Sequence, residues 1–246
     1  MSYITFRNLS TINKNHLDAR YSTYFNSNTV IDKLSLAICD ADFLSKKEYC
    51  ESVEVLRQVQ RFIKSNQNVN IYDICGGHGF VGILLALLSR GVKKSFIVDL
   101  KKPVAYEKIM KCASFVNENI VEKVEFLQQD YNDIDFEPNS IIIAIHACGT
   151  RSDSIINLAI KKNMAFVIMP CCYTKESLPY GLKRFTEVYD LKDFVDISRI
   201  NTGFNSGYDV FIRKISSKVT PMNKIFIFLP ENYYEPDEIN QNSQTS

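Results

Sequence analysis

The sequence predicts an α/β protein built on a doubly wound, mostly parallel sheet, and three observations carry that expectation. Short apolar runs of strand length recur along the 246 residues, with helix-length segments between them. The first run, Val69 to Ile74, leads into a glycine-rich turn, Gly76-Gly77-His78-Gly79, and then into an almost continuously apolar stretch from Phe80 to Leu88. The next run, Phe96-Ile97-Val98, closes on Asp99. Strand, glycine turn, helix, strand and carboxylate make up the first βαβ unit of a nucleotide-binding sheet.

Each residue type in that unit has a physical reason. Gly77 and Gly79 allow a sharp turn and a close approach of backbone to ligand where a Cβ would collide. Gly82 lets the helix pack closely on the sheet. Asp99 stands about twenty residues beyond the turn, where a carboxylate accepts hydrogen bonds from both ribose hydroxyls of an adenosine ligand. NAD and S-adenosylmethionine both carry adenosine. Asp73, closing the first strand, favours S-adenosylmethionine, because a carboxylate suits a cationic methionine moiety and repels a pyrophosphate.

Composition bounds the rest. A 46% hydrophobic content supports a substantial core, and 246 residues suit one α/β domain with an extension. The net charge of +1 gives no global electrostatic case for nucleic acid, so any such surface is local, and nothing points to DNA. Seven cysteines, an odd count without regular spacing, suit reduced thiols in the cytoplasm, with the nucleus as the alternative. The N-terminus lacks the basic and apolar regions of a signal peptide, and no apolar run approaches the roughly 20 residues of a membrane span. The oligomeric state is not readable.

Three segments are expected: an N-terminal arm with helices over 1–65, the main domain over 66–230, and a frayed acidic and polar tail over 231–246. Residues 1 to about 27 read as an irregular arm. Val30, Ile31, Leu34, Ala37 and Ile38 share a helical face. Ser45 and Glu48 form a capping box for a second helix carrying Val55, Leu56, Val59, Phe62 and Ile63, and the two helices are expected to pack across an end of the sheet. Pro103 opens a helix to about Asn117; Val124–Leu127 and Ile141–Ile145 read as strands, Asp153–Ile160 as a helix, Ala165–Met169 as the fifth strand, and Lys175–Val188 as mostly helical with a break near Pro179. Phe194–Ile200 and Tyr208–Ile215 then read as two strands. The loop between them is too short for a crossover, so they are expected to be antiparallel. Lys224–Leu229 is expected to add an edge strand. Five parallel strands ending in an antiparallel hairpin, with an N-terminal helical extension, is the class I methyltransferase variant of the Rossmann-like sheet.

Ligands of such sheets bind at the strands' carboxyl ends. That places Asp73, Cys75 and His78 at the first strand and Asp99 at the second. Asp130 follows the third, His146 and Cys148 the fourth, and Cys171, Cys172 and Tyr173 the fifth. Asp130 suits either an adenine amino group or a helix N-cap. The thiols admit three readings: a zinc site with His146, a nucleophile as in cytosine-C5 RNA methyltransferases, or small side chains lining a tight turn. With no CxxC spacing and two adjacent cysteines, no bound metal is expected. His146 and Cys172 are the catalytic candidates.

The motifs DICGGHGFVGILLA, HACGTRSD and MPCCY resemble a methyltransferase-like family that includes the glutathione S-transferase C-terminal-domain-containing protein. That family is similar to the zinc-finger tRNA 2′-O-methyltransferases, which carry related His-x-Cys-Gly and Cys-Cys-His motifs. The resemblance spans about residues 66 to 175. It implies S-adenosylmethionine binding at Asp73, Gly77, Gly79, Asp99 and Asp130, and RNA, with tRNA among the candidates, as methyl acceptor. Lys93, Lys94, Lys101, Lys102, Lys183 and Arg184 are then candidate phosphate contacts. A non-catalytic cofactor- or partner-binding module with the same fold is the competing reading, and an NAD enzyme is the third.

Overall fold

Val69–Ile74 forms β1, the strand around which the sheet is wound, and all six of its residues are buried. A strand covered on both faces needs apolar residues at successive positions, which is why this run does not alternate. The computed structural model describes residues 15–63, 68–231 and 233. Among these, β2 (Val92–Asp99), β3 (Val124–Gln128), β4 (Ser140–Ile145), β5 (Ala165–Met169), β6 (Tyr208–Lys214) and β7 (Lys224–Pro230) join β1 in one seven-stranded sheet of order β3-β2-β1-β4-β5-β7-β6. β1 to β5 are parallel, while β7 runs antiparallel to β5 and β6 antiparallel to β7. The class I methyltransferase fold expected from the sequence is therefore present. The order reverses between β1 and β4, so the ends of β1, β2 and β4 open onto the crevice where ligands of such sheets bind.

Two apolar layers sandwich the sheet. On one face α1 (Val30–Ala41), α2 (Lys46–Ile63), α3 (Phe80–Leu88), α4 (Val104–Val116) and the short α5 (Ile120–Lys123) cover Ile71, Ile97, Ile143 and Val167. On the other, α6 (Arg151–Lys161) and α7 (Leu191–Phe204) cover Tyr72, Phe96, Ile142 and Phe166. Stacked rings fix the second layer, with Tyr72 on Phe96 at 4.7 Å and Phe166 on Phe228 at 4.3 Å between centroids. The capping box at α2 is formed: the Glu48 N–H donates to Ser45 Oγ at 3.1 Å, and the Ser45 N–H donates to Glu48 Oε2 at 3.4 Å. α1 packs on α4 and α2 on α3, so the N-terminal helices extend one helical layer. The start of α2 reaches the sheet's carboxyl edge, where Glu48 meets His78 and Glu51 meets His146.

Two expectations need correction. Phe194–Ile200 lies inside α7, not in a strand. Asp190 caps that helix by accepting from the Lys192 and Asp193 N–H groups, and Val195, Asp196, Arg199 and Gly203 recur at helical spacing on its buried face. The antiparallel hairpin is instead β6 with β7. β7 is not an edge strand either: it lies between β5 and β6, with Ile225 to Leu229 fully covered. Residues 175–187 are helical as expected, as two 3-10 segments, Lys175–Ser177 and Tyr180–Glu187, broken at Pro179. Of the N-terminal arm, residues 1–14 lie outside the described residues, whereas Ala19–Tyr24 makes a 3-10 turn and Leu17 and Phe25 are buried in the core. The expected frayed tail falls almost wholly outside the described residues.

Candidate cofactor and catalytic site

The glycine turn is held by backbone and carboxylate together. The Gly76 N–H donates to the Val98 carbonyl and the Gly79 N–H to the Gly76 carbonyl, which folds the loop back toward α3. Gly77 and Gly79 have φ of +54° and +71°, the left-handed region that costs other residues strain. Cys75 also sits there, at +56°. Asp99 Oδ2 accepts from the Gly77 N–H at 3.0 Å, so the acid ending β2 already faces the turn. A Cβ built on Gly77 meets nothing within 4 Å, whereas one on Gly79 would lie 2.8 Å from Ile97 Cγ1 and Cγ2. Gly77 thus faces open space in front of Asp99, and Gly79 is wedged against the sheet.

Behind the turn, Asp73 is 2% exposed and accepts from the Gly82 N–H at 3.0 Å. Burial pushes its carboxyl up to about 6, and the single amide offsets only part of that penalty. Asp130 is the N-cap of the 3-10 turn Tyr131–Asp133, accepting from both the backbone and the side-chain nitrogen of Asn132. The capping alternative is therefore realised in its geometry.

α2 supplies what the sequence reading missed. Glu51, 1% exposed, pairs through Oε2 with His146 Nε2 at 3.1 Å and through Oε1 with Lys47 Nζ at 2.9 Å. Burial raises its carboxyl, but His146 and Lys47 outweigh it and leave it below the ordinary range. Glu48 Oε1 lies 3.7 Å from His78 Nε2, and the His78 imidazole holds Glu48 down at about 2. The usable signal was the run Glu48, Glu51, Glu54: three carboxylates three residues apart share a helix face, and two of them are buried. His146 has φ +67°, and its N–H donates to the Met169 carbonyl at 3.1 Å, tying the ends of β4 and β5 together.

Beyond His146 three thiols converge. Cys148 Sγ lies 2.8 Å from Cys171 Sγ and 3.6 Å from Cys172 Sγ, and Cys171 and Cys172 are 3.5 Å apart. Desolvation and the two neighbouring thiols push the Cys171 thiol far up, which disfavours it as a free nucleophile. Arg199, 2% exposed, fastens both turns. It forks onto Asp153 at 2.7 and 3.2 Å, reaches the Gly149 carbonyl and Ser177 Oγ, and stacks over Tyr173. The candidate phosphate contacts are dispersed, and three are already paired: Lys93 with Glu137, Lys94 with Glu125 and Lys102 with Glu107.

The sequence model described as a methyltransferase domain matches residues 46–177, more than half of the chain. The chain belongs to this methyltransferase domain family. The match opens on the first residue of α2, so the helix bearing Glu48 and Glu51 is part of this methyltransferase domain. A Xenopus laevis glutathione S-transferase C-terminal domain-containing protein is 26% identical over 196 residues, covering 74% of this chain and 30% of that one. Its human counterpart is 30% identical over 103 residues, covering 42% and 15%. A Drosophila melanogaster homologue is 31% identical over 135 residues, covering 52% and 22%. The chain spans less than a third of the length of each of these relatives. An O-methyltransferase family protein from Burkholderia thailandensis superposes on 85% of this chain and 62% of its own, with a TM-score of 0.49 at 12% identity, a likeness too distant to assign an activity. No helix among the described residues is long and apolar enough to cross a membrane.

Proposed function

We propose that this methyltransferase domain binds S-adenosylmethionine and transfers its methyl group to RNA, with tRNA one candidate class. The observation that carries the cofactor reading is the pairing of Asp99 with the Gly77 amide in front of a space that only a glycine leaves free. Asp99 would hold the ribose hydroxyls, Gly77 and Gly79 would line the cofactor, and Asp73 would lend negative charge near its cationic end. Asp130 retains acceptor capacity for an adenine amino group beside its capping bonds. When bound, S-adenosylmethionine supplies a methyl group on a positively charged sulfur. The RNA part rests on the resemblance to tRNA 2′-O-methyltransferases and on Lys101, Lys183 and Arg184 as local phosphate contacts.

Glu51 holds the His146 imidazole through Nε2, and Nδ1 is then the ring nitrogen for orienting an acceptor group or taking its proton. His146→Ala is expected to leave cofactor affinity within severalfold and to lower methyl transfer by about 10²-fold or more. If stability and cofactor affinity instead fall together, His146 serves to hold the β4 turn.

Calorimetry with S-adenosylhomocysteine, with NAD as control, tests the cofactor reading. Asp99→Ala is expected to weaken that binding at least tenfold, since each charge-assisted hydrogen bond contributes about 1.5–3 kcal/mol at most. Asp99→Asn separates lost charge from a loosened turn. Undiminished binding by Asp99→Ala would reject the site. Incubating total RNA with methyl-labelled cofactor tests the acceptor class. Cofactor binding without label in any RNA, protein or small-molecule fraction would favour a non-catalytic module.

A further inference from the structure

We infer that Cys148, Cys171 and Cys172 form a zinc site: a trithiolate at the carboxyl ends of β4 and β5 with its fourth position open to solvent. This departs from the expectation that the chain holds no metal. That expectation rested on sequence spacing, and the decisive proximity is between loops 23 residues apart in the chain. Among the described residues this is the sole group of three or more potential metal-ligating side chains whose donor atoms converge.

Zinc takes thiolate sulfur at about 2.3 Å, so the edge of a tetrahedral site measures about 3.8 Å between sulfurs. Two edges of the cluster, 3.5 and 3.6 Å, are already close to that. The third, 2.8 Å, has to open by about 1 Å. Cys148 is exposed and on a turn, so rotation of its side chain supplies the movement without disturbing the core. His146 is not the fourth ligand here, because neither of its ring nitrogens converges with the three sulfurs. Cys148 and Cys172 both face solvent, so a water or an incoming donor completes the tetrahedron.

The surroundings suit an anionic cluster. Zinc displaces three thiol protons, and the resulting site carries one net negative charge. The Cys148 carbonyl accepts from the Arg151 N–H at the start of α6, whose 11 residues direct the positive end of their dipole at this turn. Buried Arg199, its charge shared with Asp153, is bonded to the Gly149 carbonyl beside Cys148 and stacked on Tyr173 beside Cys172. These groups also fix the two turns relative to each other, as outer partners of metal sites do.

The test needs neither the acceptor nor methyl transfer, so it stands apart from the methyltransferase reading. Tag-free protein is reduced, stripped with a chelator and titrated with zinc against a chromophoric competitor, and with cobalt(II) followed by absorption. One equivalent of either metal should bind, and cobalt should show thiolate charge-transfer bands and the intense visible absorption of tetrahedral coordination. Cys148→Ser and Cys172→Ser should each weaken zinc at least tenfold, while Cys39→Ala, far from the cluster, should not. Circular dichroism checks that each variant is folded. Reduced, folded protein that takes up no zinc, or a Cys148→Ser/Cys172→Ser double variant that holds it as tightly as the parent, would overturn the site. So would a Cys148–Cys171 disulfide whose reduction restores no zinc binding.

Discussion

Gly79→Val is expected to lower the melting temperature by about 10 °C, whereas Gly77→Val should abolish cofactor binding while leaving the fold almost intact. The two glycines sit two residues apart in one turn, yet they face opposite things. At Gly79 a β-branched residue would have to hold φ near +71°, at about 1–2 kcal/mol, with its Cβ 2.8 Å from two carbons of a fully buried Ile97. Ile97 belongs to β2 and pairs with Asp73 of β1, so it cannot retreat without moving the sheet. Overpacking of that kind adds about 1–3 kcal/mol, a large share of the 5–15 kcal/mol that holds a domain together. At Gly77 the strain is similar, φ +54°, but the new side chain meets nothing within 4 Å. Its volume falls where the ribose of an adenosine ligand is proposed to lie, beside Asp99. Thermal melts and calorimetry with S-adenosylhomocysteine on both variants check this. Should Gly77→Val bind as tightly as the parent, the cofactor lies elsewhere.

The contrast between those glycines marks where the sequence was legible. From Val69 to Leu88 the strand and helix limits match the structure, because a fully buried strand and an apolar helix joined by glycines admit one local solution. The capping box at Ser45 was legible for the same reason: its partners lie three residues apart. α7 was not. Phe194, Val195 and Ile197 suggest a strand, while the face that is buried carries Asp196 and Arg199, polar residues whose partners, Lys224 and Asp153, come from elsewhere in the chain. The place of β7 was misread because a run of five apolar residues says only that both faces are covered; the sheet order comes from Phe228 pairing with Phe166. Glu51 stayed hidden because its role depends on His146, 95 residues away.

Asp73→Asn is expected to stabilise the cofactor-free protein near pH 7 and to weaken cofactor binding. Asp73, next to last in β1, lies beneath the turn with one amide donor, and burial raises its carboxyl from 3.8 to about 6. Between those values the folded chain keeps a proton that the unfolded chain has released. The stability linked to this proton is fully present below pH 3.8 and is lost as pH rises through about 6. Above that, the buried charge costs at most about 3 kcal/mol, at about 1.4 kcal/mol per tenfold. Asparagine cannot ionise and still offers an oxygen to the Gly82 N–H, so the variant should melt several degrees higher than the parent at pH 7 and at a similar temperature at pH 4. Glu48 and Glu51 titrate the opposite way, both depressed, and their contribution fades on acidification in parent and variant alike. The difference between the two melting curves therefore isolates Asp73. A carboxylate kept ionised at such cost fits a site built to meet a cation, so S-adenosylhomocysteine, with its free ammonium group, should bind the variant at least tenfold more weakly. If the variant melts lower than the parent at pH 7 by as much as at pH 4, the charge is not what burial penalises, and Asp73 serves mainly to hold α3 to β1 through Gly82. Unchanged affinity would mean that no ligand cation lies near Asp73.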